Sequence, residues 1–440
     1  ARLGAVQNPM LPIYRHREVS FITSQARSHW LVVPSVWRTF DYEGLAREIA
    51  SEQPGLEVLV SDRALPDGDP GQLPPPPAPP EAPDDAPVRW LFYTSGTTAD
   101  PKGARHTDAT IMASAIGMCE RLALTDEDRS AMVFPFTHIG GQDWLFSSLL
   151  TGCVLLFVEA WDPKATPTFL GTQDTTVAGA GTFFHMAYLA AQREQPDEPL
   201  FPRLRVCVGG GAPKPPQLHY DVKNELGGVG VASGYGLTEA PIISCAGVDD
   251  IGEVLAETEG RATRGVTLRI ITLDGRVGEP GEEGEIRAKG PQVMKGYLDS
   301  SFDAEAFDDD GWFRTGDLGR LDEDGNVTIT GRLKDIIIRK GENISAKEIE
   351  DLLFTHPKIA DVAVLGLPDP ASGERACAVV VLKDPDDPVT LAEVADFCVA
   401  EGLMKQKIPE QLEIVEALPR NPTGKILKYE LRARFSKEGN

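Results

Sequence analysis

The sequence predicts an α/β protein in two parts: a large N-terminal domain of parallel α/β sheet over residues 1–331 and a small α+β domain over 332–440. Three observations predict it. Short apolar strands alternate with helical stretches as far as about residue 245, the pattern of a parallel sheet covered by helices. From about 253 to 331 the texture changes to short alternating strands broken by Gly, Asp and Pro turns, which reads as a small antiparallel β-barrel subdomain. The remaining segment carries helices and strands of its own and is long enough for a compact domain.

Each element follows in order. Residues 31–33 and 57–61 read as short strands flanking a helix at 42–51. Residues 66–87 contain a Leu-Pro-Pro-Pro-Pro-Ala-Pro-Pro run; proline supplies no ladder donor and breaks helix interiors, so this is an extended surface connection. Strands are expected at 89–94, 131–134, 154–158, 204–209 and 230–234, with a helix from Asp108. The run 144–158 is too short to span a bilayer and reads as a core helix turning into a core strand. The antiparallel strands fall at 268–272, 284–289, 316–321 and 327–331. Helices and strands over 346–354, 362–367, 376–383, 390–401, 411–416 and 426–435 complete the chain.

Composition narrows the function. The 440 residues carry a net charge of −24, which disfavours nucleic acid and anionic membranes as partners. It leaves room for small anions, because a few lysines and backbone amides bind phosphate inside an acidic protein. The six cysteines form no CxxC pair and no metal set with histidine, so reduced thiols in a cytoplasmic protein are expected. No signal peptide is seen.

The sharpest chemical feature is Tyr93-Thr94-Ser95-Gly96-Thr97-Thr98-Ala99-Asp100-Pro101-Lys102-Gly103, read as a loop between a strand and a helix. Hydroxyls of Thr94, Ser95, Thr97 and Thr98 offer donors, Gly96 and Gly103 allow close backbone approach, and Lys102 supplies a point charge. Pro101 and Gly103 around Lys102 exclude a Walker A loop, which needs Ser or Thr after its lysine. Further along stand Phe134-Pro135-Phe136-Thr137-His138-Ile139-Gly140-Gly141, Val208-Gly209-Gly210-Gly211-Ala212-Pro213 and Gly234-Tyr235-Gly236-Leu237-Thr238-Glu239-Ala240. Beyond them come Gly311-Trp312-Phe313-Arg314-Thr315-Gly316-Asp317, Gly331-Arg332-Leu333-Lys334-Asp335 and Asn421-Pro422-Thr423-Gly424-Lys425. Glu239 suits a hard cation, which prefers carboxylate oxygen.

In this order and at these separations the segments resemble the adenylate-forming superfamily, which includes acyl-CoA synthetases, luciferases and the adenylation domains of peptide synthetases. The resemblance covers essentially the whole chain. It implies an ATP-dependent acid–thiol ligase: a carboxylic acid becomes an acyl-adenylate with release of pyrophosphate, and the acyl group passes to coenzyme A, with Mg2+ as cofactor. It also implies a mobile C-terminal domain. Lys425, Thr238, Glu239 and His138 are then catalytic, with Glu239 on the metal. Thr94 to Thr98, Lys102, Gly210, Gly211, Ala212, Pro213, Gly234, Tyr235, Gly236, Asp317 and Arg332 hold the nucleotide, Asp317 by accepting both ribose hydroxyls. Lys334 matches the hinge, and Lys340, Gly341 and Glu342 the coenzyme A tunnel. Ile139, Gly140, Trp144, Gly209 and Ile242 match the acyl pocket, where the two glycines suggest room for a bulky chain. The stretch from Gly4 to Glu18 resembles cyclohexanecarboxylate- and medium-chain-type ligases, which favours an apolar aliphatic or alicyclic acid. One rival is an enzyme that loads a carrier protein; another, of a different class, is a non-catalytic nucleotide or acyl-ligand binder. A homodimer is compatible with the sequence.

Overall fold

The computed structural model describes residues 3–64, 68–82, 85–94, 101–211, 214–339 and 342–436. The large part is organised by a seven-stranded sheet. Its order is Arg261–Ala262, Ala240–Cys245, Val231–Leu237, Val206–Gly210, Val177–Ala178, Arg129–Met132, Val154–Phe157. The five strands from Val231–Leu237 to Val154–Phe157 pair in parallel, and the other two pair antiparallel. Parallel strands covered on both faces must be apolar throughout; Val206, Cys207, Val231 and Ala232 are accordingly fully buried. Helices Asp108–Leu122, Ile139–Thr151, Thr182–Glu194 and Pro216–Glu225 cover the sheet.

The strand at 89–94 departs from expectation. Val88–Thr94 pairs antiparallel with Lys102–Thr107 in a separate two-stranded sheet rather than joining the parallel one. A strand, not a helix, therefore begins at Lys102, and residues 95–100 of the hydroxyl-rich segment lie outside the described residues. The helix still begins at Asp108, where the Thr107 hydroxyl accepts from the Thr110 amide at 3.1 Å, an N-cap. Trp30–Val33 and Glu57–Val60 form a small parallel pair beside helix Tyr42–Glu52. Residues 71–82 of the proline-rich connection are exposed, and one 3-10 turn forms at Pro70–Gln72.

The expected barrel-like unit is an antiparallel meander of Thr267–Ile271, Gly284–Lys289, Phe313–Leu321 and Val327–Arg332, whose two end strands do not pair with each other. The last part has its own five-stranded sheet around the long hairpin Ile359–Asp369 and Gly373–Leu382. Side chains alternate across a strand. Val362 and Val364 face a core shared with Ile349, Leu353 and Val394, whereas Ala363, Leu365 and Leu367 face Leu431 and Phe435. Helices thus cover both faces of this hairpin. No helix among the described residues is long and apolar enough to cross a membrane.

Candidate active site

In the seven-stranded sheet the chain runs outward from Arg129–Met132 to Val154–Phe157, then returns to Val177–Ala178 on the other side. Such a reversal leaves a crevice beyond the carboxyl ends of the parallel strands, where ligands of open α/β sheets bind. Met132 leads into the segment around His138, and Ala178 into helix Thr182–Glu194, so both border this crevice. Next along the sheet, Gly210 pairs in register with Gly234. A Cβ on Gly210 would lie 3.0 Å from the Gly234 carbonyl oxygen, so only glycine lets the two strand ends lie this close. Gly211 adopts φ +72, which also favours glycine.

Tyr235 is buried, and its hydroxyl donates to Asp317 Oδ2 at 2.9 Å. The other oxygen, Oδ1, takes Arg332 Nε at 2.6 Å. Asp317 and Arg332 are register partners on adjacent antiparallel strands, so the sheet itself sets this ion pair. Burial first, then the neighbouring Asp317 charge, hold the Tyr235 phenol well above its usual range. A carboxylate has about four lone-pair sites, so Asp317 keeps acceptor capacity beyond these two bonds.

Thr238 and Glu239 form the two-residue link between Val231–Leu237 and Ala240–Cys245, whose ends Leu237 and Ala240 pair. The Thr238 carbonyl faces Nε2 of the fully buried His106 at 2.8 Å, and the His106 Nδ1 lies 2.9 Å from the Thr110 hydroxyl. Burial pushes His106 down to about 4, so the ring is neutral. The Glu239 carbonyl accepts from the Met294 amide at 2.8 Å, and its Oε1 from the Tyr297 hydroxyl at 2.7 Å. Its second carboxylate oxygen takes no bond among the described residues, which fits a hard divalent cation. Lys102 pairs in register with Thr94 at the base of the hairpin.

Lys425 reaches the crevice from the C-terminal part. Its amide and that of Thr423 donate to Asn421 Oδ1, both at 3.0 Å. Arg420 holds the same loop by donating to the Gly424 carbonyl at 2.5 Å and pairing with Asp361 at 2.6 Å. Gly424 adopts φ +83, and a Cβ there would stand 3.2 Å from Phe183 on helix Thr182–Glu194. Burial, then the Arg332 charge, push the Lys425 ammonium down to about 8. His138 caps helix Ile139–Thr151, accepting from the Gly140 amide at 3.2 Å. Burial, then Lys425, push it down to about 4.

The structure therefore brings Lys425, Asp317, Arg332, Tyr235 and His138 to one crevice. Ser95, Gly96, Thr97, Thr98, Ala212, Pro213, Lys340 and Gly341 lie outside the described residues. Glu342 pairs with Arg339 across a hairpin, is exposed, and forms no hydrogen bond or ion pair with a residue of the site among the described residues. Lys334, in a 3-10 turn at Leu333–Asp335, is also exposed.

The acyl-pocket residues divide. Trp144 and Ile242 share one cluster with Phe134 and Val208, while Ile139 is buried in another with Trp90, Phe92 and Ile111. The two glycines differ: a Cβ on Gly209 would be crowded, 2.9 Å from Ser233 Oγ, whereas one on Gly140 would sit in ordinary contact, 3.4 Å from Phe134. Ile242 has φ +43, unusual for a β-branched residue and a form of strain that clusters at ligand sites. Asp143 is 1 % exposed on the same helix as Trp144, with neither carboxylate oxygen partnered among the described residues; burial pushes it up to about 7. Sequence reasoning missed His106, Tyr297, Phe183 and Arg420, which act through neighbours distant in the chain.

The chain is similar over its length to known proteins. The family profile described as AMP-binding enzyme matches residues 1–298, and that of the AMP-binding enzyme C-terminal domain matches 348–425. The medium-chain fatty-acid–CoA ligase of Escherichia coli K12 is 33% identical over 440 residues, covering 98% of this chain and 77% of that protein. A salicyl-AMP ligase / salicyl-S-ArCP synthetase of Mycobacterium tuberculosis is 33% identical over 450 residues, covering 97% of this chain and 76% of its own. ATP-bound MatB from Rhodopseudomonas palustris superposes with TM-score 0.85 at 27% identity, covering 100% of this chain and 85% of that one. The chain belongs to the AMP-binding enzyme family and is an ATP-dependent acid–thiol ligase of the acyl-CoA synthetase branch of the adenylate-forming superfamily.

Proposed function

We propose that the protein converts an apolar aliphatic or alicyclic carboxylic acid to its acyl-adenylate and transfers the acyl group to coenzyme A. The observation that carries this reading is Lys425, held by its own loop in the crevice beside Asp317, Arg332 and His138. A carboxylate is a poor acyl donor, because its leaving group would be oxide. Attack of a carboxylate oxygen on the α-phosphorus of ATP forms the mixed anhydride and expels pyrophosphate. The chain's part in that step is positioning and charge stabilisation. Asp317 accepts the ribose hydroxyls, with Arg332 beside them, and Tyr235 borders the base. Thr238 donates to phosphate, and Lys102 supplies positive charge next to it. Lys425 bridges the acid and the α-phosphate. Glu239 would hold Mg2+, which neutralises phosphate charge when bound. Neutral His138 borders the acid rather than adding a second cation.

The thiol step needs other groups at the same site. The exposed Glu342 hairpin and the seated Lys425 support reading this arrangement as that of the first half-reaction. Lys334 is then the pivot about which residues beyond 331 turn to bring Lys340, Gly341 and Glu342 inward. Trp144 and the strained Ile242 wall the acid pocket, which favours a compact apolar chain.

Loading of a carrier protein is the second reading, favoured by the similarity to the Mycobacterium tuberculosis salicyl-S-ArCP synthetase. Pyrophosphate release is measured with ATP, Mg2+ and a panel of carboxylic acids, with and without coenzyme A. Acid-driven release that coenzyme A accelerates supports the first reading. Acid-driven release indifferent to coenzyme A supports the second, and no release with any acid overturns both.

A further inference from the structure

Residues 294–298 connect two loops of the site that are far apart in sequence. The segment runs beside Lys102–Thr107: the Arg105 amide donates to the Gly296 carbonyl at 3.0 Å, and the Lys295 and Leu298 amides donate back to the Arg105 and Gly103 carbonyls at 2.8 and 2.7 Å. At its start, the Met294 amide donates to the Glu239 carbonyl at 2.8 Å. Tyr297 sits between, 6 % exposed, and its amide is fixed by Asp303 Oδ1 at 2.7 Å. Its hydroxyl donates to Glu239 Oε1 at 2.7 Å. Its ring faces Lys102, whose Nζ stands 5.5 Å from the Tyr297 centroid and 4.1 Å from that of Phe302. The two rings meet edge to face, with centroids 6.1 Å apart.

This arrangement solves a particular electrostatic problem. A lysine meant for phosphate loses effective charge if a carboxylate holds it. Among the described residues Lys102 makes no ion pair; two aromatic faces hold it, and these attract a cation without neutralising it. A carboxylate meant for a metal must keep one oxygen open, and Tyr297 occupies only Oε1. Hydrogen-bond partners that orient a ligating carboxylate govern metal affinity strongly.

We propose that Tyr297 is a positioning residue that sets the phosphate-side lysine and the metal-side carboxylate of this site as one unit, orienting Glu239 through its hydroxyl and Lys102 through its ring. The inference rests on the reading of the site as one for Mg2+ and ATP.

The test is calorimetric titration of the intact protein with ATP across a series of Mg2+ concentrations. Tyr297→Phe keeps the ring and removes the hydroxyl. It should raise the Mg2+ concentration for half-maximal tightening of nucleotide about 10-fold, and leave metal-free nucleotide binding unchanged. Phe302→Leu should weaken nucleotide binding about 2- to 5-fold at every Mg2+ concentration, with the midpoint unmoved. In a Glu239→Gln background, Tyr297→Phe should add no further shift, because the pair acts as one unit. Thermal melts confirm that each variant is folded. An unchanged midpoint in Tyr297→Phe, or a full additional shift in the Glu239→Gln background, overturns the proposal. Wild-type protein that binds no ATP overturns the functional reading instead.

Discussion

Replacing Lys425 with methionine separates its chemical role from its structural cost. Its pKa falls from 10.5 to about 8 on burial beside Arg332, and each unit is worth about 1.4 kcal/mol, so the protonated ammonium opposes the seated loop by about 3 kcal/mol in the ligand-free protein. For a base whose folded pKa is depressed, this cost is present in full below pH 8 and fades as pH rises towards 10.5. Ligand-free Lys425→Met should therefore be more stable than wild type at pH 7, by up to about 3 kcal/mol, with the gap closing near pH 10.5. Adenylation should fall about 100- to 1,000-fold, the usual loss on removing one preorganised donor from a developing charge. Wild-type kcat/KM for ATP should also decline above pH 8, as free enzyme loses the ammonium, while the variant lacks that limb. Chemical denaturation and acid-dependent pyrophosphate release at a series of pH values measure both quantities. A variant within tenfold of wild type, or one that keeps the same alkaline limb, would refute the assignment of Lys425.

Asp317→Asn removes the charge that Arg332 faces, and breaking one side of a buried pair costs about 3–5 kcal/mol; denaturation should show the loss, and KM for ATP should rise. Gly424→Ala forces a side chain into φ +83 and against Phe183, so adenylation should drop while thioester formation from supplied acyl-adenylate persists. Asp143 titrates near 7 in the folded protein against an ordinary 3.8, a raised carboxyl pKa that removes stability progressively as pH climbs from 3.8 to 7, by about 4 kcal/mol in all. Asp143→Asn should consequently stabilise the protein far more at pH 8 than at pH 4.5; equal gains at both pH values would contradict this.

Much of the architecture was legible because it lies in local pattern. The element expected at 346–354 coincides with helix Ala346–Phe354, and the strand at 284–289 with Gly284–Lys289, because period and turn residues mark both ends. The hairpin Val88–Thr94 with Lys102–Thr107 was hidden, since Lys102 to Thr107 has a strand's pairing without a strand's apolar alternation. Within the site, Tyr235, Asp317 and Lys425 were readable from motifs, but their joining was not: the Asp317–Arg332 pair depends on sheet register. His106 was passed over because an isolated histidine gives no sign of a carbonyl partner 132 positions away. Gly209 shows the same limit: its sequence says only that a side chain is missing, whereas Ser233 already crowds that position.

The loop that carries Lys425 is bonded to Asn421, Arg420 and, through Arg420, to Asp361 on the long hairpin of the small part. Its lysine is a rigid prong, not a swinging arm. On the proposed reading of a turn about Lys334, withdrawing it would displace the whole small part through solvent, against friction. Turnover should then slow in proportion to solvent viscosity whenever withdrawal limits the cycle, and the single adenylation step on preloaded enzyme should not.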